Sequence, residues 1–205
     1  DEKKMILDAC CGSRMFWFDK THPNVLFQDI RDAEYILCDG RKLEVHPDVV
    51  ADFTAMPYPD RSFKLVVFDP PHLDNSNDGA YMAQKYGTLR RFKWQDDIKQ
   101  GFDECMRVLD INGVLIFKWN ETRIPVSRIL EIIGVRPLFG HKSGKASRTH
   151  WMCFMKINKK MNIGILALDS IYSNPALMKI SNYHKRLGYN VVFIVKGARI
   201  TKKYN

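Results

Sequence analysis

The chain has 205 residues, 45% of them hydrophobic, and a formal charge of +9; that size suits one good-sized domain with a real core, or one domain and a fragment. It contains no run of 18 apolar residues and no charged start leading through an apolar stretch to a cleavage site, so neither a membrane span nor a secretory signal is visible and the cytoplasm is the expected location. Its five cysteines (Cys10, Cys11, Cys38, Cys105 and Cys153) lack any CxxC spacing, which argues against a zinc knuckle or a disulfide framework and leaves no metal site to expect.

Short apolar runs alternate with longer segments, the pattern of an α/β protein with a parallel sheet. MILDACC from Met5 predicts a first strand, NVLFQDI from Asn24 a second, DVVADF from Asp48 a third and KLVVFD from Lys64 a fourth. The fourth runs directly into Asp69, Pro70, Pro71 and His72. Prolines cannot donate ladder hydrogen bonds, so the chain must leave the sheet there in a stiff, preset shape. A long polar segment extends from Asp74 to Trp94, more suited to gripping a substrate than to a core. The spacing of Ile98, Phe102, Cys105, Met106 and Leu109 predicts a helix over 96–109, ended by a turn at Asn112-Gly113. VLIFKW then predicts a strand, Pro125 to Ile133 a helix, and PLFG with THWMCFMK a terminal antiparallel hairpin; Trp119, Trp151 and Phe154 read as core.

From Met161 onward the sequence reads strand, helix, strand, beginning afresh with a methionine. The expected organisation is a main domain over 1–158, missing an N-terminal segment because it enters its first strand almost at once, and an incomplete βαβ fragment over 161–205. The charge divides unevenly between them. Seven Lys or Arg against one acid after Met161 give +6, and 25 against 22 before it give only +3. Within the first part the basic residues gather twice: Lys85, Arg90, Arg91 and Lys93 among Tyr86, Phe92 and Trp94, then Arg136, His141, Lys142, Lys145 and Arg148. Such mixtures suit phosphates and stacked bases, which makes nucleic acid the expected partner. A solvated face is the equally weighted alternative.

Ligands of an open α/β sheet sit beyond the carboxyl ends of its strands, so acids placed there matter most. Asp8, Asp29, Asp52 and Asp69 all close or come just after a predicted strand. Gly12 and Ser13 lie just beyond the first, where small residues let backbone approach a ligand. Asp29 lies 17 positions after Gly12, close to the ~20 at which an acid accepts hydrogen bonds from ribose hydroxyls. Its alternative role is to cap a following helix.

The series LDACCGS, QDI, ADFTAMPYPDRSFKLVVFDPPH and GVLIFKWN resembles the class I S-adenosylmethionine-dependent methyltransferases over residues 5 to about 157. DPPH resembles the DPPY-type motif of amino-group methyltransferases, chiefly of DNA adenine, and the nearest likeness is to small phage-type DNA methylases. The resemblance implies a Rossmann-like, mostly parallel sheet with a C-terminal antiparallel hairpin, S-adenosylmethionine as cofactor and DNA as partner. It assigns Asp8, Ala9, Cys10, Gly12 and Ser13 to the loop that cradles the methionine part, Asp29 to the ribose, and Asp52 with Phe53 to the adenine. Asp69 and the Pro70 carbonyl would each accept one N–H of the target amino group, Pro71 would stiffen the turn, and His72 would stack on an extruded base where the family more often has Tyr, Phe or Trp. Lys85, Tyr86, Arg90, Arg91, Lys118 and Lys142 fall to the substrate. Arg14 replaces the family's second loop glycine and is expected either to crowd the cofactor or to pair with its carboxylate. Lys118 dissents, because a lysine at the end of the fifth strand beside Asp69 resembles the ribose 2′-hydroxyl methyltransferases. RNA or small-molecule methylation, and non-catalytic nucleic-acid binding, therefore stay open as alternatives. Residues 161–205 resemble the opening of the cobalamin-binding domain of some radical S-adenosylmethionine enzymes, without that family's DxHxxG and CxxxCxxC motifs, and receive no function.

Overall fold

A computed structural model describes residues 4–72, 87–90, 92–144, 147–157, 162–167, 175–186 and 190–195. The chain divides into two compact units, Asp1–Ile157 and Asn158–Asn205. In the first unit the elements run β1 (Ile6–Asp8), β2 (Val25–Asp29), β3 (Ala33–Ile36), β4 (Lys42–Val45), β5 (Val49–Val50), β6 (Phe63–Phe68), α1 (Trp94–Val108), β7 (Leu109–Asn120), α2 (Val126–Ile133), β8 (Phe139–Lys142) and β9 (Thr149–Met155).

Seven of these strands form one sheet in the order β5-β2-β1-β6-β7-β9-β8. The first five are parallel, while β9 runs antiparallel to both β7 and β8. This is the Rossmann-like, mostly parallel sheet with a terminal antiparallel hairpin that the sequence predicts. From β1 the chain winds outward first through β2 and then, after returning, through β6 and β7. The strand order therefore reverses between β1 and β6, and a crevice opens where the two sets of loops diverge.

Period-two alternation decides which face each side chain takes. Leu7, Val66, Phe68, Leu115, Phe117, Trp119 and Phe154 point to one face, where Ile98, Phe102 and Cys105 of α1 and Ile129 and Ile133 of α2 cover them. Each large apolar side chain removed from water in this way contributes about 1.5–3 kcal/mol. On the opposite face Val25 and Phe27 pack with Cys11, Ile6 and Trp17, residues supplied by β1 and the loop after it rather than by a helix.

Three local expectations change. The third strand contracts to Val49–Val50, so Asp52 and Phe53 lie in the turn beyond it. Asn112-Gly113 does not end α1, which stops at Val108; the pair lies inside β7, where Asn112 takes φ +62 and the register with β6 slips between Phe63 and Leu65. The turn-forming residues thus lie where β7 loops out of register with β6. Between β2 and β5, where parallel neighbours ordinarily need a crossover helix, β3 and β4 form an antiparallel hairpin around Asp39-Gly40, with Gly40 at φ +80. The second unit pairs β10 (Asn162–Ala167) with β11 (Asn190–Val195) in parallel, with α3 (Pro175–Arg186) between them in sequence. Among the described residues no helix is long and apolar enough to cross a membrane.

Candidate functional site

A cavity of about 680 Å³ opens at the strand reversal, within the usual range for cofactor and substrate sites. Its lining includes all four strand-end acids, Asp8, Asp29, Asp52 and Asp69.

One half is built by the loops after β1, β2 and β5. Asp8 is only 2% exposed. Trp17 Nε1 donates to its Oδ2 at 2.7 Å and the Cys10 N–H to its Oδ1 at 3.2 Å. Burial nevertheless pushes the Asp8 carboxyl up to about 7, with Asp69 and Asp29 adding repulsion to the charged form. Ala9 is buried, and its N–H donates to the Val67 carbonyl at 3.0 Å, which ties the loop to β6. Cys10 and Ser13 line the cavity; burial first, then the Asp29 charge, pushes the Cys10 thiol well up, so it stands there as a neutral wall. Gly12, at φ +49, donates its N–H to Asp29 Oδ2 at 2.8 Å. The other oxygen of Asp29 accepts from the Arg31 backbone N–H and from Arg31 Nε, each at 3.0 Å. Asp29 caps no helix, because the next element in the chain is strand β3. Asp52 accepts the Thr54 N–H and hydroxyl, both at 2.8 Å, in a tight turn that sets Phe53 edge-on to Phe68 at 5.4 Å.

Arg14 departs from both expectations set for it. Its backbone is left-handed, with φ +56, a conformation that favours glycine, yet its side chain turns away from the cavity. The guanidinium lies 4.0 Å over the Phe27 ring and donates to the Lys20 carbonyl, the His46 carbonyl and Asp48 Oδ1. It therefore ties three segments together and neither crowds nor pairs with anything in the cavity.

The other half belongs to β6, β7 and β9. Lys118 Nζ donates to Asp69 Oδ2 at 2.6 Å, and His72 Nε2 lies 3.3 Å from Oδ1. Burial alone would raise the Asp69 carboxyl, but His72 and the Lys118 charge outweigh it and hold the group below its usual value. The His72 ring stands edge-on to Trp119 at 5.1 Å, and the side chain is 18% exposed. Gly87 returns the chain against Pro71: a Cβ on that glycine would meet the proline ring at 3.3 Å. Pro70 and Pro71 both line the cavity.

The substrate residues expected from the sequence scatter. Lys85, Tyr86 and Arg91 lie outside the described residues. Arg90 borders the cavity but gives its Nε to buried Asp97 at 2.8 Å, anchoring the returning chain to the start of α1. Lys142 Nζ sits 2.6 Å from Glu121 Oε1, and His150 Nε2 lies 2.9 Å from the same oxygen without the alignment of a hydrogen bond. Lys142 and then His150 draw the Glu121 carboxyl down to about 2.

Of the residues read as core, Trp119 and Phe154 are buried, but Trp151 is not one of them: it lines the cavity. The reason is register. Trp151 pairs with Lys118 across β7 and β9, so it shares the face of Lys118 and not that of Trp119. Phe16, Ile30, Arg31 and Tyr35 also line the site, and no sequence pattern singled them out. Among the described residues no cluster of three His, Cys, Asp or Glu could hold a metal ion.

No family model and no curated protein matches the sequence. Solved structures of similar outline include the PH0226 protein of Pyrococcus horikoshii OT3, at 13% identity and TM-score 0.48 over 75% of this chain and 82% of that one. A TehB-like SAM-dependent methyltransferase from Corynebacterium glutamicum stands at 16% and 0.48, over 76% and 82%. The N-methyltransferase NodS from Bradyrhizobium japonicum WM9 stands at 12% and 0.46, over 76% and 86%.

Proposed function

We propose that the chain is an S-adenosylmethionine-dependent methyltransferase that acts on an exocyclic amino group, with adenine in DNA as the acceptor. One observation carries the reading: a single cavity at the strand reversal holds the Gly12 loop, Asp29 and Asp52-Phe53 together with Asp69-Pro70-Pro71. The cofactor suits the first group. Gly12 leaves the backbone open, Asp8 and Asp29 offer acceptors to amino and hydroxyl donors, and Phe53 offers a flat apolar wall. When bound, S-adenosylmethionine supplies an electrophilic methyl on its sulfonium.

The second group orients the acceptor. An exocyclic amino nitrogen attacks poorly while its lone pair is delocalised into the ring. Asp69, kept ionised by Lys118 and His72, accepts one of its N–H bonds, and the Pro70 carbonyl accepts the other. Held so by Asp69 and Pro70, the nitrogen would present its lone pair to the methyl that bound S-adenosylmethionine supplies, with S-adenosylhomocysteine as the leaving group and the surplus proton passing to water. Positioning of this kind supplies several kcal/mol of the barrier, about 7–11 at its limit.

The Lys118–Asp69 pair at 2.6 Å favours a second reading. A lysine beside a carboxylate at this point can hold a hydroxyl, the ammonium donating to its oxygen and the carboxylate accepting its hydrogen, which would make the acceptor a ribose or an alcohol on a small molecule. Labelled methyl transfer to duplex DNA, single-stranded DNA and RNA, with nucleoside mass analysis of the products, separates the two. N6-methyladenine that vanishes in Asp69→Ala supports the first. A 2′-O-methyl product lost in Lys118→Ala supports the second. Intact cofactor binding with no transfer to any nucleic acid would overturn the DNA reading, and absence of cofactor binding by the folded protein would leave a non-catalytic module.

A further inference from the structure

We propose that Trp151, backed by Phe16, is the surface on which the flat ring of the acceptor stacks. The proposal rests on the amino-methyltransferase reading above and adds to it the residue that selects a heteroaromatic acceptor.

Three observations converge on Trp151. It borders the same cavity as Asp69, and its position is fixed by cross-strand pairing with Lys118. Lys118 Nζ touches Asp69 at 2.6 Å and lies 5.7 Å from the centre of the Trp151 ring, so the indole stands beside the reacting end, separated from the carboxylate by no more than those two lengths end to end. The indole is also held still. Its Nε1 donates to Ser143 Oγ at 2.8 Å, and the Phe16 ring leans on it at 5.1 Å and 48°. A preset aromatic face loses little freedom when a base lies on it, and every base offers a π-face to such a platform.

His72, at the position where the motif suggests an aromatic platform, is already committed. Its ring sets an edge against Trp119 and its Nε2 faces Asp69. His72 is thus a positioning residue for the carboxylate, and the stacking surface passes to the neighbouring strand.

The test compares wild type, Trp151→Ala, Trp151→Phe and His72→Ala, with S-adenosylhomocysteine added for the oligonucleotide-binding measurements and S-adenosylmethionine for turnover. Fluorescence anisotropy measures affinity for an adenine-containing single-stranded oligonucleotide, calorimetry measures S-adenosylhomocysteine affinity, and turnover gives kcat and KM. Trp151→Ala is expected to weaken oligonucleotide binding and raise its KM about 10- to 100-fold with cofactor affinity retained, and Trp151→Phe to recover most of the loss. His72→Ala is expected to lower kcat more than it raises KM. Oligonucleotide affinity equal to wild type in Trp151→Ala, or a parallel loss of cofactor binding, overturns the stacking role while wild-type methylation of adenine keeps the parent reading. If wild type neither binds nor methylates adenine in any oligonucleotide, the parent reading falls and this role falls with it.

Discussion

In the half of the cavity proposed for the cofactor each carboxylate is answered from nearby in the chain: Asp8 by Cys10 and Trp17, Asp29 by Arg31 and by Gly12 at a separation of 17, Asp52 by Thr54. In the half proposed for the acceptor Asp69 meets His72 three positions on but also Lys118 across 49, and Trp151 meets Phe16 from opposite ends of the unit. The first half is therefore a set of self-contained turns that strand ends position. The second depends also on three strands holding a common register. Changes in the cofactor half should act through local charge and strain, and changes in the acceptor half through geometry between strands.

The largest effect expected from this contrast is on stability. Asp8 has its pKa pushed from 3.8 to about 7 in the folded chain, so the native state holds a proton that the unfolded chain has released. Stability is then full below about pH 4 and is lost as pH rises through about 7, by up to roughly 4 kcal/mol. Asp8→Asn removes that dependence. Urea midpoints should show the variant more stable than wild type at pH 8 and similar at pH 4, while calorimetry shows weaker binding of the cofactor; equal pH slopes in both proteins would contradict the buried charge. Next comes Asp69→Ala, which should lower methyl transfer on the order of 10²-fold with S-adenosylhomocysteine binding retained, since Asp69 serves the acceptor half. A parallel loss of both would erase the division between halves.

Gly101 sharpens the comparison from the core side. A Cβ there would come within 2.5 Å of the Phe53 ring and 2.8 Å of the Phe68 ring. Gly101→Ala should therefore destabilise the fold by about 1–3 kcal/mol and, by displacing Phe53, weaken cofactor binding more than acceptor binding. The smallest effect belongs to Arg14→Ala. It removes three hydrogen bonds and the contact with Phe27 and leaves an unfavourable φ, so thermal melting should show a loss of about 1–2 kcal/mol. Cofactor affinity should stay unchanged; a marked drop would mean that the side chain reaches the cavity after all.

The same contrast explains what could be read from the sequence. Acids at strand ends, Gly12 and the proline pair obey local rules, and the strands that carry them were legible, from Leu7 in β1 to Phe117 in β7. The β3–β4 hairpin was not, although Asp39-Gly40 between AEYI and KLEV carries a hairpin signal; its strands are four residues each and expose every other position, so no apolar run announces them. Trp151 misleads for a different reason. It lies in THWMCFM just before three buried residues, and only its register against Lys118 reveals which way it points. Arg31 carries no signal at all, since its role comes from the fold bringing Gly12 and Gly87 to it.

The placement of β1 between β2 and β6 also has a consequence for how the chain acquires its shape as it is made. Leu7 is hydrogen-bonded territory on both sides, opposite Leu26 on one and Val66 on the other. Strand β1, made before β6, must wait for its second neighbour until β6 has emerged, and for the wall that carries Trp151 until β9 has. Closing so long a loop is slow relative to local turns, so the crevice is a late product of folding, and amide exchange at Leu7 and Val66 should report opening of the entire unit and not of its rim.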